Sequence, residues 1–379
     1  MKRLVCAVFA VFLLCGCIYS PEPESTVPTR TACEVTQLNI PGFDPWLMME
    51  SMTTPELVGQ LFLARCPSDE TAVADIQTFH LGGYVLFGRD FKDHTAASVT
   101  STIHAYQNAA NTPLLIAVDE EGGTVCRVSS QPLLREEPFP SPRELYAEGG
   151  NDLLVSTEQE KCELLSSLGI NVNIAPVCDI TQDPEAFMYE RSLGLSPELT
   201  GSCVANMVDM MNRNKIGSVL KHFPGYGNNT DTHTQIALDE RSLADLKTAD
   251  LVPFSYGINA GCGAILVSHT IVTCLDAEQP ASLSPAVVAF IRHDMGFDGV
   301  IMTDDLDMDA ITQRYGAGES AVLAVLAGND LLCSTHYQQQ YDAVLDAVEN
   351  GRITLDHIRK SVARILLWKY ELGLLQPNA

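Results

Sequence analysis

The sequence predicts an α/β fold, a single-domain (β/α)8 barrel of the TIM type behind an N-terminal signal and tether. Three observations predict it. Eight short apolar runs recur between residues 60 and 333, and near-continuous apolar strands imply a parallel sheet buried on both faces. Stretches with helix start and stop signals separate the runs. Polar residues gather where the runs end, and in an α/β barrel all C-terminal strand ends meet at one mouth. A length of 379 residues would suit two ordinary domains, but barrels reach it as one, and the eight units leave no block for a second. A doubly wound sheet would more often carry a glycine-rich first turn, and no GxGxxG occurs.

In chain order, residues 1–17 read MKRLVCAVFAVFLLCGC. Lys2 and Arg3 precede an apolar core over residues 4–14. That core falls short of the ~20 apolar residues of a membrane span and has the layout of a secretory signal. Its end, Leu14-Cys15-Gly16-Cys17, resembles a bacterial lipobox, with Cys15 where Ala or Ser is usual. The resemblance implies a signal peptide over residues 1–16 and lipidation of Cys17; an ordinary signal peptide is the alternative. Residues 17–45, rich in Pro, Ser and Thr, read as a tether that lifts a catalytic domain, residues 46–379, off a membrane.

The expected strands are residues 60–65 (QLFLAR), 82–87 (GGYVLF), 114–119 (LLIAVD), 171–177 (NVNIAPV), 218–223 (SVLKHF), 264–268 (AILVS), 300–304 (VIMTD) and 330–333 (DLLC). Two helices between them are marked most clearly. Ser284 caps and Pro285 starts a helix that buries Val287, Val288, Ile291 and Met295 and stops at Gly296. Ser242 caps another. The polar ends are Arg89-Asp90, Asp119-Glu120-Glu121, Lys221-His222, Ser268-His269 and Asp304-Asp305. A solvated edge would not need to be this rich in His and Asp.

Composition narrows the partners. Hydrophobic residues make up 46% of the chain, enough for a large core. A formal net charge of −25 argues against nucleic acid or an acidic membrane surface as a partner, so a membrane is reached through the N-terminal lipid alone. Twelve cysteines are scattered without a CxxC pair. Cys262, Cys274 and Cys333 sit in apolar runs and read as small core residues, while Cys33 and Cys66 stay open as a pair.

Two chemistries suit such a mouth. A metal-dependent hydrolase would need several histidines at strand ends. Only His222, His233 and His269 qualify, no H-x-H occurs, and Lys221 would repel a cation. A glycosidase needs one carboxylate to attack a sugar carbon and a second group to protonate the leaving oxygen.

Four segments favour the second. KHFPGYGNNTDTH resembles the KHFPGxGxxxxD[ST]H signature of bacterial β-N-acetylglucosaminidases of glycoside hydrolase family 3. AVDEEGGTVCRV, GINVNIAPVCDI and GVIMTDDLDMDAI resemble further segments of that family, and AGNDLLC a later strand. They fall in family order from about residue 50 to 373. The resemblance implies a retaining β-N-acetylhexosaminidase acting on terminal β-linked N-acetylglucosamine in oligosaccharides or muropeptides, with no metal or organic cofactor. It implies Asp304 as nucleophile, with Asp305 the competing neighbour. It implies His233 as acid/base and Asp231 as its dyad partner. A histidine can serve there because its ordinary pKa of roughly 6.5 lies near working pH. The resemblance also implies Asp119, Arg127, Arg191, Lys221 and His222 as sugar contacts, donors and acceptors suited to hydroxyls.

Two positions depart from the family. Tyr226 replaces a histidine, and Ala237 replaces a proline. Both lie on the loop that must carry His233, whose glycines are expected to let Asp231 and His233 swing over the bond. A phosphorylase on the same site is a second enzymatic reading, because a neutral histidine repels phosphate less than a carboxylate does. A non-catalytic glycan-binding lipoprotein is a third, against which the intact Asp304, Asp231 and His233 stand.

Overall fold

The computed structural model describes residues 41–67, 69–227 and 237–378. Cys17, Cys33, the signal and nearly all of the tether lie outside them.

Eight parallel strands form one sheet: β1 (Phe62–Arg65), β2 (Gly83–Leu86), β3 (Leu115–Val118), β4 (Val172–Asn173), β5 (Gly217–Phe223), β6 (Ala264–Val267), β7 (Val300–Thr303) and β8 (Leu332–Ser334). Each pairs with its sequence neighbours, and β8 pairs with β1. A parallel bridge between Met302 and Leu331 brings β7 to β8 and closes the barrel. The (β/α)8 barrel expected from the apolar runs is therefore the fold.

Most strands lie within a residue or two of the expected runs. β4 is the exception, covering two of the seven residues expected. Pro176 has no N–H to give to a ladder, so pairing lapses and resumes only as a single bridge from Val177 to Lys221.

The ring outside contains α1 (Asp69–Phe79), α2 (Ala96–Ala109), α3 (Pro142–Leu168, kinked at Gly150), α4 (Pro197–Arg213), α5 (Leu251–Asn259), α6 (Pro285–Ala289), α7 (Ala317–Ala327) and α8 (Tyr337–Glu349). Caps read from sequence recur here. The Ser284 hydroxyl accepts from Val287 N–H at 3.2 Å, and the Ser242 hydroxyl from Asp245 N–H at 3.1 Å. The helix begun at Ser284 does not run straight to Met295. Residues Phe290–Asp294 form a π turn before Gly296 stops it at φ 67°.

Strand alternation sorts the core into two layers. Outward residues such as Phe62, Ile116, Leu220 and Ile301 pack under the helices. Inward residues Leu63, Val85, Ala117, Val219, Leu266 and Met302 fill the barrel. A last helix, Leu355–Glu371, closes the bottom by seating Trp368 in that inner core. Only glycine fits beneath the indole, because a Cβ at Gly263 would lie 2.0 Å from Trp368 Nε1.

Candidate active site

Two residues beyond five of those inward positions, and beyond Leu331 of the same inner core, the chain reaches the mouth, still facing in. Leu63 is followed by Arg65, Val85 by Phe87, Ala117 by Asp119, Val219 by Lys221, Met302 by Asp304 and Leu331 by Cys333. Apart from a flanking rim, these residues line a cleft of 660 Å³. Arg127, Arg191, His222, Tyr226 and Asp305 line it as well.

The middle of the cleft is a chain of ion pairs. Lys221 Nζ lies 2.7 Å from Asp119 Oδ1 and 2.5 Å from Glu121 Oε1. Arg191 grips the same Glu121 with both arms, Nε to Oε2 at 2.9 Å and Nη2 to Oε1 at 2.7 Å. Burial alone would raise the Glu121 carboxyl, but Lys221 and Arg191 outweigh it and hold it far below the usual range. The same bond holds the Arg191 guanidinium charged against its own burial. All five expected sugar contacts, Asp119, Arg127, Arg191, Lys221 and His222, thus line one cleft with Asp304.

The Glu-Glu-Gly-Gly run after β3 explains how Arg127 returns to the cleft. Residues Glu120–Gly122 and Val125–Cys126 form an antiparallel hairpin. Gly122 turns at φ 103°, with Pro140 O 2.3 Å from where a Cβ would sit, so no other residue fits. The buried Glu120 carboxylate then accepts from Arg127 N–H at 2.9 Å and Val128 N–H at 2.7 Å. That places Arg127 Nε 4.0 Å from Asp119 Oδ2.

His222 is held more tightly than a flexible donor would be. Its Nδ1 donates to Asp179 Oδ2 at 2.8 Å, and its Nε2 faces Arg191 Nη2 at 3.1 Å. Arg191 can only donate, so this contact casts Nε2 as the acceptor and puts the ring proton on Nδ1. As arranged, His222 orients its neighbours and offers the cleft no N–H of its own.

Asp304 and Asp305 are placed very differently. Asp304 N–H donates to Val267 O at 3.0 Å, which continues the ladder and fixes the residue at the end of β7. Its Oδ1 accepts from Asp305 N–H at 2.9 Å. The Asp305 carboxylate is occupied by its own surroundings: Oδ2 accepts from the Thr335 hydroxyl at 2.6 Å, and Oδ1 from Asp307 N–H at 3.0 Å. Burial raises its pKa. His269, at the end of β6, is wholly buried and bridges the Ser282 hydroxyl and Asp305 O at 2.7 and 2.9 Å. It supports the mouth from behind. The polar pair after β2 is not in the cleft either: Arg89 donates to Cys66 O, and Asp90 caps Phe87 N–H at 2.7 Å.

Asp231 and His233 lie outside the described residues. The stems of their loop are described, and both are tied down. Gly225 O accepts from Arg241 Nη2 at 2.9 Å, and Tyr226 N–H donates to Asp179 Oδ1 at 2.7 Å. At the far stem Ala237 O accepts from Ile271 N–H at 2.9 Å. Arg241 binds both sides, since it also holds Asp239 at 2.9 Å and Asp250 at 2.7 Å. Gly225 and Tyr226 are thus hydrogen-bonded in place at the near stem, while the swing expected of Asp231 and His233 concerns residues outside the described ones. Tyr226 is 2% exposed and packs edge-on to His222 at 5.2 Å between ring centroids, which gives it a structural role.

Motif matching misses Glu121, Asp179 and Arg65. Glu121 and Asp179 sit within quoted segments, but their partners are 70 and 43 residues away. Arg65 had a usable signal, its even spacing from Leu63.

The chain's similarities agree with this geometry. The Glycosyl hydrolase family 3 N terminal domain matches residues 53–367. "Beta-hexosaminidase LpqI" of Mycobacterium tuberculosis is 27% identical, with 97% of each chain covered. "Beta-hexosaminidase" of Tolumonas auensis is 33% identical over 71% of this chain and 80% of its own. Among solved structures, a glycoside hydrolase family 3 beta-N-acetylglucosaminidase from Paenibacillus superposes with a TM-score of 0.79 at 33% identity, over 87% of this chain and 64% of that longer one. The Mycobacterium tuberculosis LpqI structure gives a TM-score of 0.79 at 26% identity, over 93% and 99%.

Proposed function

As a member of glycosyl hydrolase family 3 the chain is a glycoside hydrolase, and we propose that it is a retaining β-N-acetylhexosaminidase. It removes terminal, non-reducing, β-linked N-acetylglucosamine, with peptidoglycan fragments as the natural source. The observation that carries this reading is the mouth layer itself. A strand-end carboxylate, Asp304, shares one cleft with Asp119, Lys221, Arg191 and Arg127, an array of acceptors and donors of the kind sugar hydroxyls require. The names of the hexosaminidase relatives support the choice of sugar.

The reaction runs by double displacement. An Asp304 oxygen attacks the anomeric carbon while the bond to the leaving oxygen breaks. His233 gives that oxygen its proton, and a glycosyl–Asp304 ester remains. Water then attacks the same carbon, His233 takes its proton, and Asp304 leaves as carboxylate. Asp231 orients the imidazole and stabilises its charged form. Asp304 is preferred to Asp305 because the Asp305 carboxylate is engaged by Thr335 and Asp307.

Export by the residue 1–16 signal and lipidation of Cys17 would hold the barrel at the outer side of a membrane. Release from cell membranes by detergent but not by salt tests the anchor. The central test is turnover of a chromogenic N-acetylglucosaminide and of muropeptides. Wild type turns over, and Asp304→Asn lowers kcat by roughly 10⁴-fold or more. No turnover by wild type on either substrate removes the enzyme reading. Full activity in Asp304→Asn with loss in Asp305→Asn moves the nucleophile.

A further inference from the structure

One polar side chain of the mouth layer has no part in the mechanism above. Going round the barrel from β7 through β8, β1 and β2 to β3, the mouth residues are Asp304, Cys333, Arg65, Phe87 and Asp119. Phe87 carries no polar side-chain atom, and a thiol such as that of Cys333 is a weak donor. Among the described residues Arg65 is therefore the strong donor that the strand ends supply between the two carboxylates; Arg127, which also reaches the Phe87 ring at 5.7 Å, comes from the hairpin and lies 4.0 Å from Asp119.

Its donors are uncommitted. Lys221 is ion-paired with Asp119 and Glu121 through two of its three donors, and Arg191 is ion-paired with Glu121. The Arg65 guanidinium instead lies 4.5 Å from the Phe87 ring centroid. Its Nε is buried and makes no hydrogen bond, and no carboxylate among the described residues pairs with it. An inward barrel position is normally apolar, as Leu63 is one layer below. A charged group held there on an aromatic face, with its fork unfilled, is preorganised for a ligand.

Every edge of a pyranose carries oxygen. A sugar with its anomeric carbon at Asp304 and its hydroxyls at Asp119 turns one edge towards β8, β1 and β2. We infer that Arg65 is a substrate-binding residue that donates hydrogen bonds to an oxygen substituent on that edge, and so helps set which sugar the cleft accepts. The inference rests on the glycosidase reading above.

The test compares wild type, Arg65→Met and Arg65→Lys on an aryl N-acetylglucosaminide and on its analogues lacking the 2-acetamido group or the 3-, 4- or 6-hydroxyl. Thermal unfolding checks that each variant is folded. Arg65→Met should lower kcat/KM on the parent sugar roughly 10- to 100-fold, the worth of a hydrogen bond from a charged donor. On one analogue, the one lacking the contacted oxygen, that loss should shrink to within about 2-fold, since the bond is then already absent. Arg65→Lys keeps the charge without the fork and should fall between, with the same analogue standing out. If Arg65→Met matches wild type on the parent, or loses equally on every analogue, the assignment is wrong. If wild type itself does not turn over the parent, the hexosaminidase reading falls and takes the assignment with it.

Discussion

Asp179 shows how much one buried carboxylate can organise. Its Oδ2 accepts from both N–H groups of His222, at 3.0 and 2.8 Å, and its Oδ1 from Tyr226 N–H at 2.7 Å. Burial would raise this carboxyl, but the hydrogen bonds from His222 and Tyr226 and the nearby Arg191 charge bring it below the usual range. One group thereby fixes a tautomer at the end of β5 and the first turn of the loop beyond it. Asp179→Asn keeps the shape and loses this logic. An amide NH2 facing Nδ1 would push the ring proton to Nε2, against the Arg191 guanidinium. We expect kcat/KM on the aryl N-acetylglucosaminide to fall, by up to about 10²-fold, with the fold intact by circular dichroism. Unchanged kinetics would show that the His222 tautomer does not matter. Asp179 was within a quoted segment, yet its role could not be read there, because a hydrogen bond across 43 residues leaves no local pattern.

The loop that follows β5 is an element whose two stems are held by hydrogen bonds. Two glycines around Tyr226 suggest freedom, but Gly225 sits at φ 112° because the backbone there must turn past Asp250. A Cβ at Gly225 would lie 2.6 Å from Asp250 Oδ1. The glycine is needed for close approach under a clamp, with Arg241 fastening both stems. Gly225→Ala should cost about 1–3 kcal/mol in urea unfolding from the backbone conformation alone. It should also lower kcat more than it raises KM, since the stem leading to the proposed acid/base is displaced while the proposed sugar contacts stay. A variant as stable and as active as wild type would show that the close approach of Gly225 to Asp250 does not matter. The hairpin after β3 follows the same rule. Consecutive glycines between acidic and apolar residues form a turn, and the turn delivers Arg127.

At the level of the whole barrel the last helix matters as much as the mouth. It plugs the bottom with Trp368 and buries Lys369, whose ammonium meets only the Gln60 carbonyl oxygen, at 2.8 Å, among the described residues. Burial pushes this lysine down to about 7. Above that pH, and below the ordinary lysine pKa of roughly 10.4, the unfolded chain holds a proton that the folded chain lacks. Stability from this group therefore rises with pH across that window, by at most about 1.4 kcal/mol per pH unit. Below pH 7 the folded chain carries the full cost of a buried charge. Lys369→Met should thus gain on wild type at pH 6–7 and lose that advantage towards pH 10, as followed by urea unfolding. Parallel curves for the two proteins would mean that Lys369 is not buried in neutral form.

Eight apolar runs, the caps at Ser242 and Ser284 and the polar strand ends are local signals, set by side-chain spacing and by backbone groups a few residues apart. They sufficed for the barrel and for most of the mouth: Asp119, Lys221 and Asp304 each stand at the end of a run. Closure decided the rest. Which residues face inward together depends on the register of eight strands, so Arg65 and Phe87 join the cleft only when β1 and β2 take their places between β8 and β3. Which charges neutralise one another depends on distance in space, so Glu121 belongs to Arg191 and Lys221 rather than to its neighbour Glu120. That division is physical: helices, turns and strands are specified by short-range sterics and periodicity, whereas a site is specified by contacts that exist only after the chain has closed on itself.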